Sequence, residues 1–263
     1  MKNIIYYFSG TGNSYFIARE ISLKLNDAGL ISISKELKKN EPIKIGKDIE
    51  RVGIVFPVYV WGMPRIVDRF ISKIEFEDKP YIFGLMNYGG FGAATLEQLN
   101  KRLKEKEIEL SAGFGIRMPG NYIPLYGADS IQKQKTTFEK AKLKIEEITK
   151  IILEKRKYKI EKSFWLLNFL FTNIIYNLGI KKMSEKDKNF WTNEKCNKCK
   201  LCINICPVNN IELKDDKIVW FHKCEQCMAC IQWCPVEAIE FGKKTVNRKR
   251  YRHPDLKPSD FLL

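Results

Sequence analysis

Along the first half of the chain, hydrophobic residues gather into short continuous runs, each closed by glycine, proline or a small polar residue. Residues 2–8 (K-N-I-I-Y-Y-F), 51–56 (R-V-G-I-V-F), 81–87 (Y-I-F-G-L-M-N) and 112–118 (A-G-F-G-I-R-M) are such runs. Their length and lack of polar alternation predict strands buried on both faces. Between them the apolar positions shift to a helical spacing: Phe16, Ile17, Ile21, Leu23 and Leu25, then residues 66–74, then an amphipathic stretch ending at Lys106. Strands alternating with helices argue a parallel, doubly wound α/β sheet. Residues 130–159 read as one further long helix with a basic surface: positions 133 to 162 carry eleven Lys or Arg against five Glu.

Residues 163–180 break the rhythm, with eighteen positions and no charge. That length touches the threshold for crossing a membrane, but Asn168, Thr172, Asn173 and Asn177 interrupt it. Leu167, Leu170, Phe171, Ile174 and Leu178 fall on one helical stripe, with the asparagines, Trp165, Phe169 and Tyr176 on the other side. An amphipathic helix packed between two halves of the molecule is expected. Lysines at 162, 181 and 182 also suit an anionic membrane surface.

The first strand run is followed by Ser9-Gly10-Thr11-Gly12-Asn13-Ser14 and then by a helix. A strand, a glycine-bearing loop and a helix N-terminus form a phosphate cradle: glycines admit the backbone, free N–H groups point at the anion, and hydroxyl and amide side chains add donors. The loop lacks the lysine of a nucleotide-hydrolysing loop, and Tyr15 stands where a dinucleotide fingerprint needs Gly or Ala. A neutral, hydroxyl-rich cradle suits a terminal phosphate such as that of FMN.

The chain's eight cysteines lie in two copies of C-x2-C-x2-C-x3-C-P, from Cys196 to Pro207 and from Cys224 to Pro235. Zinc sites pair C-x2-C units and lack the third cysteine with the following C-P. Dense thiolates in this pattern suit an iron–sulfur centre. Paired short strands are expected at 211–213 with 218–220, and a second hairpin after Ala238.

The cysteine run resembles that of bacterial two-cluster ferredoxins, and the Ser9–Ser14 loop resembles the phosphate loop of flavodoxins. Together they resemble flavodoxin–ferredoxin fusion proteins. That resemblance implies an N-terminal flavodoxin-like five-stranded sheet of order 2-1-3-4-5. It also implies a small α+β two-[4Fe-4S] ferredoxin-like domain. Carried over by position, Cys196, Cys199, Cys202 and Cys234 hold one cluster, and Cys224, Cys227, Cys230 and Cys206 hold the other. FMN is expected on Ser9, Gly10, Thr11, Gly12, Asn13 and Ser14. Its ring is expected between the loop Pro57, Val58, Tyr59, Trp61, Gly62 and the loop Asn87, Tyr88, Gly89, Gly90, Phe91, Gly92. Residues 118–122 leave the sheet at the same end and line either the flavin or the seam between domains. Lys200 and Met228 occupy positions where many ferredoxins have glycine, and Trp233 is expected to shield a cluster.

The implied limits are residues 1–157 for the flavodoxin-like unit, 158–189 for a linker containing the amphipathic helix, and 190–245 for the ferredoxin unit. A basic tail, 246–263, is expected to lie on the surface or bind a partner. Composition is ordinary, with 44% hydrophobic and 29% charged residues. No signal-peptide pattern precedes the first strand, so a cytoplasmic protein with reduced thiols is expected, possessing at most a membrane-surface contact. The net charge of +15 favours an external redox protein with an acidic docking face, or an anionic lipid surface. No nucleic-acid motif is present. The 1–157 unit has neither histidine nor cysteine, and no catalytic residue is assigned. The expected function is electron transfer between FMN, the two clusters and a partner. The alternative is an FMN- and iron–sulfur-dependent oxidoreductase reducing a quinone, nitro compound or other small acceptor.

Overall fold

The apolar runs do form a central sheet in the computed structural model, which describes residues 1–262. Its strands are β1 (Asn3–Tyr7), β2 (Ala28–Ser32), β4 (Arg51–Pro57), β6 (Tyr81–Tyr88) and β7 (Ala112–Arg117). They pair in parallel in the order β2-β1-β4-β6-β7, the flavodoxin-like order expected of the five strands. Helices α1 (Asn13–Ser22), α2 (Ile33–Lys39), α3 (Arg65–Lys73), α4 (Thr95–Lys104) and α5 (Ile131–Leu153) supply the other layers. Two short strands, β3 (Ile43–Ile45) and β5 (Ile74–Phe76), pair apart from the main sheet. Helices on both faces explain why strand positions need no polar alternation: Ile5, Ile54, Phe56, Phe83 and Ile116 are all buried. The chain reverses its winding between β1 and β4, so the carboxyl ends of β1, β4, β6 and β7 open a crevice at one edge.

The long basic helix is shorter than expected. Ser130 caps α5, its Oγ accepting from the Lys133 amide at 3.3 Å, and the helix ends at Leu153. Residues beyond it turn along β7 instead. The Tyr158 amide donates to the Ser111 carbonyl at 3.0 Å and the Glu161 amide to that of Gly113 at 2.9 Å. Successive like charges at 155–157 have no apolar helical face to bury, and the open edge of β7 offers hydrogen bonds that a further helical turn in water would not exceed.

The second unit is built on two antiparallel pairs, β8 (Phe190–Thr192) with β11 (Ile239–Phe241), and β9 (Ile211–Lys214) with β10 (Lys217–Trp220). The β9–β10 hairpin is the expected one, turning at Asp215 and Asp216, both with positive φ. The strand after Ala238 forms no second hairpin; it reaches back to β8, which precedes the first cysteine. Helices α8 (Leu201–Asn204) and α9 (Ala229–Gln232) each carry the third cysteine of a C-x2-C-x2-C run, Cys202 and Cys230. The internal repeat survives in the backbone. Lys198 and Gln226 correspond and share positive φ, as do Lys200 and Met228. The latter left-handed positions explain why glycine fits there.

Between the units, α6 (Trp165–Leu167), a π-helical stretch (Asn168–Tyr176) and α7 (Asn177–Lys181) make one continuous helix. It packs on the first unit through residues of both stripes, Phe171 from the apolar one and Asn168, Thr172 and Tyr176 from the other. Thr172 Oγ1 donates to the Trp61 carbonyl and accepts from the Ala94 amide, both at 3.1 Å, and Tyr176 donates to the Met63 carbonyl at 2.6 Å. The loops under this helix present backbone polar groups as well as the Trp61 and Phe91 rings. Thr172 and Tyr176 satisfy the polar groups, while Leu167, Leu170, Ile174 and Leu178 face outward with Asn173 and Asn177.

The tail, of which residue 263 lies outside the described residues, is no surface arm. Tyr251, His253, Leu256, Phe261 and Leu262 are buried against the first unit. Phe261 stacks on Tyr15 with ring centroids 5.3 Å apart, and Tyr7 donates to its carbonyl at 3.2 Å. The basic letters hid this apolar spacing. Arg250, one of those basic residues, is itself buried on Glu240 at 2.8 Å.

Candidate redox site

Loops from all four carboxyl ends of the first sheet meet around a cavity of about 400 Å³, within the size range of small-molecule sites. From the expected set it is lined by Asn13, Pro57, Val58, Tyr59, Trp61, Asn87, Tyr88, Gly89, Gly90 and Phe91. Gly90 opens onto free space, with nothing within 4 Å of where a Cβ would stand. Gly62 is turned away beneath the Tyr176 ring. Gly92 lies against Met86, its carbonyl accepting from Thr95 Oγ1 at 2.7 Å at the start of α4. These two glycines serve packing rather than the cavity.

The loop after β1 is buried and tied to protein on several sides. Ser9 Oγ accepts from the Gly12 amide at 3.2 Å, and Ser14 Oγ donates to Asn87 Oδ1 at 2.5 Å. Asn121 Nδ2 donates to Thr11 Oγ1 at 2.8 Å, and Asn13 donates to the Pro119 carbonyl at 3.0 Å. Of these loop residues Asn13 borders the cavity; Ser9, Gly10, Thr11, Gly12 and Ser14 stand behind it. Gly10 is pressed against the cysteine domain: a Cβ there would collide with the Cys227 carbonyl oxygen. The Trp233 indole donates to the Gly10 carbonyl at 2.9 Å. Trp233 thus ties the two units together at the cradle itself.

The Tyr59 loop turns tightly, with Val60 and Trp61 both at positive φ and Tyr59 and Gly62 bonded to each other in both directions at 3.0 Å. Trp61 contacts Phe91 and Phe171, with centroids 5.9 and 4.6 Å apart. Phe171 therefore completes a wall made by the two aromatic loops. Tyr59 is buried, and its hydroxyl has no hydrogen-bond partner. Burial, reinforced by Cys227, Glu225 and Cys224, holds that hydroxyl well above the ordinary phenol range. Tyr59 is therefore a wall between the cavity and the second cysteine run.

Eight cysteines gather around two hollows. Cys196, Cys199, Cys202 and Cys234 border one, and Cys206, Cys224, Cys227 and Cys230 border the other. Each run therefore lends its last cysteine to the other hollow. No group of three or more His, Cys, Asp or Glu is close enough to hold a single metal ion among the described residues. Four sulfurs around a hollow suit a body larger than one ion. Backbone amides already point at the sulfurs: Asn210 at Cys206, Ala238 at Cys234 and Gln226 at Cys224, each at 3.2 Å. Burial pushes the Cys202 and Cys224 thiols up to about 12 and raises Cys206, Cys227 and Cys230 as well. Thiolates here need a bound positive centre. Cys199 is exposed, whereas Cys206, Cys227 and Cys230 are buried, so the first hollow lies nearer solvent.

The seam between cavity and second hollow is one residue thick at Gln226. Its side chain lines the cavity, Nε2 donates to Cys224 Sγ at 3.4 Å, and buried Oε1 has no partner. Beside it Glu225 accepts from the Ile66 amide at 3.1 Å, at the N-terminus of α3, and from Arg69 at 2.8 Å. Burial raises the Glu225 carboxyl, against the pull of Arg69 and Arg65. His222, in contrast, is structural, its Nδ1 2.6 Å from buried Asp187.

Several lining residues were not foreseen. Leu125 and Tyr126 come from farther along the loop after β7, beyond the expected 118–122 stretch, of which Pro119, Gly120, Asn121 and Tyr122 do line the cavity. Met183, Lys186 and Gln226 come from outside the sheet. Nothing in the letters C-E-Q-C distinguishes Gln226, since only the docking of the two units brings it to the cavity.

The residues fit the implied groups. The cavity offers a slot between aromatic loops and the α1 N-terminus, whose first amides lack intrahelical acceptors. The hollows offer four sulfurs each with donors aimed at them.

Residues 195–239 match the family described as 4Fe-4S dicluster domain. No curated protein matches the chain. Among solved structures the chain is similar to a flavoprotein in complex with FMN from Lactobacillus acidophilus, at 12% identity and a TM-score of 0.33, covering 44% of this chain and 92% of that one. A two-electron reduced flavodoxin of Megasphaera elsdenii gives 16% identity and 0.31, covering 43% and 83%. An azoreductase of Bacillus anthracis gives 9% and 0.36, covering 59% and 100%. The fold assignment rests on the strand order and not on these likenesses. A flavodoxin-like sheet and a 4Fe-4S dicluster domain in one chain make this a redox protein.

Proposed function

We propose that this flavodoxin–ferredoxin fusion passes electrons between FMN in the cavity and two [4Fe-4S] clusters in the hollows, and on to an external redox protein. The observation that carries the proposal is Gln226, one side chain that touches a cluster-ligand sulfur and borders the flavin cavity. Bound FMN supplies two electrons, exchanged singly or as a pair, and each cluster supplies one.

The chain's own residues position these centres. Tyr88 and Trp61 would flank the ring, Asn13 and the α1 N-terminus would supply donors to the phosphate, and Gln226 would separate the flavin from the inner cluster. Cys206, Cys224, Cys227 and Cys230 hold the inner cluster. Cys196, Cys199, Cys202 and Cys234 hold the outer one. Glu225, Trp233 and the buried tail fix the two units, which replaces a diffusional encounter with a permanent one.

Exposed Cys199 marks the exit. Lys195, Lys198 and Lys200 surround it in sequence. An open groove nearby is lined by Leu201, Pro235, Arg250, Arg252, His253 and Lys257, with no carboxylate among its lining residues. Both features suit a partner with an acidic docking face.

The test is an anaerobic titration of the reconstituted protein, read by absorbance and EPR. It is expected to give one flavin and two separately reducible [4Fe-4S] signals per chain. Cys227→Ser is expected to disturb one cluster signal and spare the other. A single cluster, or a chain that retains no flavin, contradicts the proposal.

A further inference from the structure

The helix between the two units is held to the protein by Thr172, Tyr176 and Phe171 and leaves most of its apolar side chains, together with Asn173 and Asn177, toward solvent. Trp165 is 67% exposed, Phe169 55% and Leu178 69%, with Phe164, Leu166 and Leu170 exposed beside them. This inverts the arrangement of an ordinary packed helix. Scattered surface apolar residues need no explanation, but a row along one helix marks a contact surface. The inner side is fully used: Thr172 and Tyr176 bond to the loops beneath, and Asn168 is buried. The helix therefore cannot roll its apolar stripe inward without breaking these bonds.

We propose that this face docks on an anionic lipid surface. Among the described residues no helix is long and apolar enough to cross a membrane, so the helix would lie along the headgroups with its outward side chains in the acyl boundary. Charge selects the occupant. Lys162 precedes the apolar stretch, exposed Lys181 and Lys182 follow it, and residues 163–180 contain no acidic residue. The chain as a whole carries +15. Lys162 also meets Glu97 at 2.6 Å, an exposed pair that contributes little and leaves the cation available to headgroups. A second copy of this chain fits less well. A two-fold contact sets the patch against itself, and lysines at both ends then face lysines whether the helices run parallel or antiparallel. Phosphatidylserine headgroups oppose no such charge.

Docking would also bring the lipid close to the redox cavity. Phe171 of this helix contacts Trp61, and Trp61 lines the cavity.

The test is sedimentation of the full-length holoprotein with vesicles of phosphatidylcholine alone and of phosphatidylcholine with phosphatidylserine. Binding is expected to the anionic vesicles and to weaken as salt rises. K181Q/K182Q is expected to weaken it about thirty-fold, at about one surface-held charge per lysine. Phe169→Gln with Leu178→Gln, both at exposed positions, is expected to abolish it while leaving the flavin and cluster absorbance unchanged. Brominated lipids are expected to quench Trp165 fluorescence, identified by its loss in Trp165→Phe. No sedimentation with anionic vesicles, or equal binding to neutral ones, overturns the proposal. So does a dimer in light scattering that the same Phe169 and Leu178 changes dissolve when vesicles do not bind.

Discussion

At Gln226 the backbone is held at a positive φ so that its amide, and behind it its side chain, reach Cys224 sulfur. Hydrogen bonds to a ligating sulfur stabilise the more negative, reduced state. Gln226→Leu keeps the backbone bond and removes the side-chain one. It is expected to lower the potential of the cluster held by Cys224 by roughly 50 mV, about one hydrogen bond's worth for a one-electron couple. EPR-monitored titration checks this, and the outer cluster serves as the internal control. Tyr59 gives the complementary case. Its buried hydroxyl has no partner, so Tyr59→Phe is expected to leave thermal stability unchanged or raised, within about 1 kcal/mol. A clear loss of stability would reveal a bond to that oxygen. The cysteines and the Ser9–Ser14 loop were legible in the sequence because their spacing is itself the chemistry. Gln226 and Tyr126 were not, because each acquires its place only when the second unit or the far part of the β7 loop is docked over the first.

Among the elements, the five strands and their order followed from run length and alternation with helices, which local physics largely dictates. Four elements went otherwise, each because a tertiary partner overrode the local pattern, among them the strand after Ala238, which paired with β8. The basic helix stopped at Leu153 to let the chain pair with the edge of β7. The middle helix turned Thr172 and Tyr176 inward beside Phe171 because the loops beneath offer carbonyls and an amide as well as aromatic rings. The tail sank into the first unit because Tyr251, His253, Leu256 and Phe261 supply apolar surface that its arginines and lysines masked. His253 shows the consequence. It stacks on Phe16 at 4.5 Å, and burial pushes its imidazole down to about 4, partly opposed by Asp255. The folded protein thus binds a proton less readily there than the unfolded chain. This contribution is complete above the ordinary histidine value and is lost as pH falls from about 6.5 toward 4. Between pH 7.5 and 5.5 it is expected to cost about 1 kcal/mol of stability. Denaturant titrations of the wild type and His253→Phe at both pH values measure it. The variant is expected to lose that part of the pH dependence, and an unchanged difference would place the titration elsewhere.

At the scale of the whole molecule, the two units share a buried seam rather than a tether. Gly10 lies on Cys227, Trp233 bonds Gly10, Glu225 caps α3, and the tail returns from the second unit to cover α1. Such a seam makes electron exchange an internal event. The sequence implied both redox units but not their contact, since no local pattern encodes how two folded surfaces meet. The most direct measurement is anaerobic stopped-flow mixing of the oxidised holoprotein with a limiting reductant, following flavin and cluster absorbance at several protein concentrations. The predicted result is redistribution of electrons between flavin and clusters at a rate independent of protein concentration. Redistribution that slows in proportion to dilution, or none at all, would contradict the account.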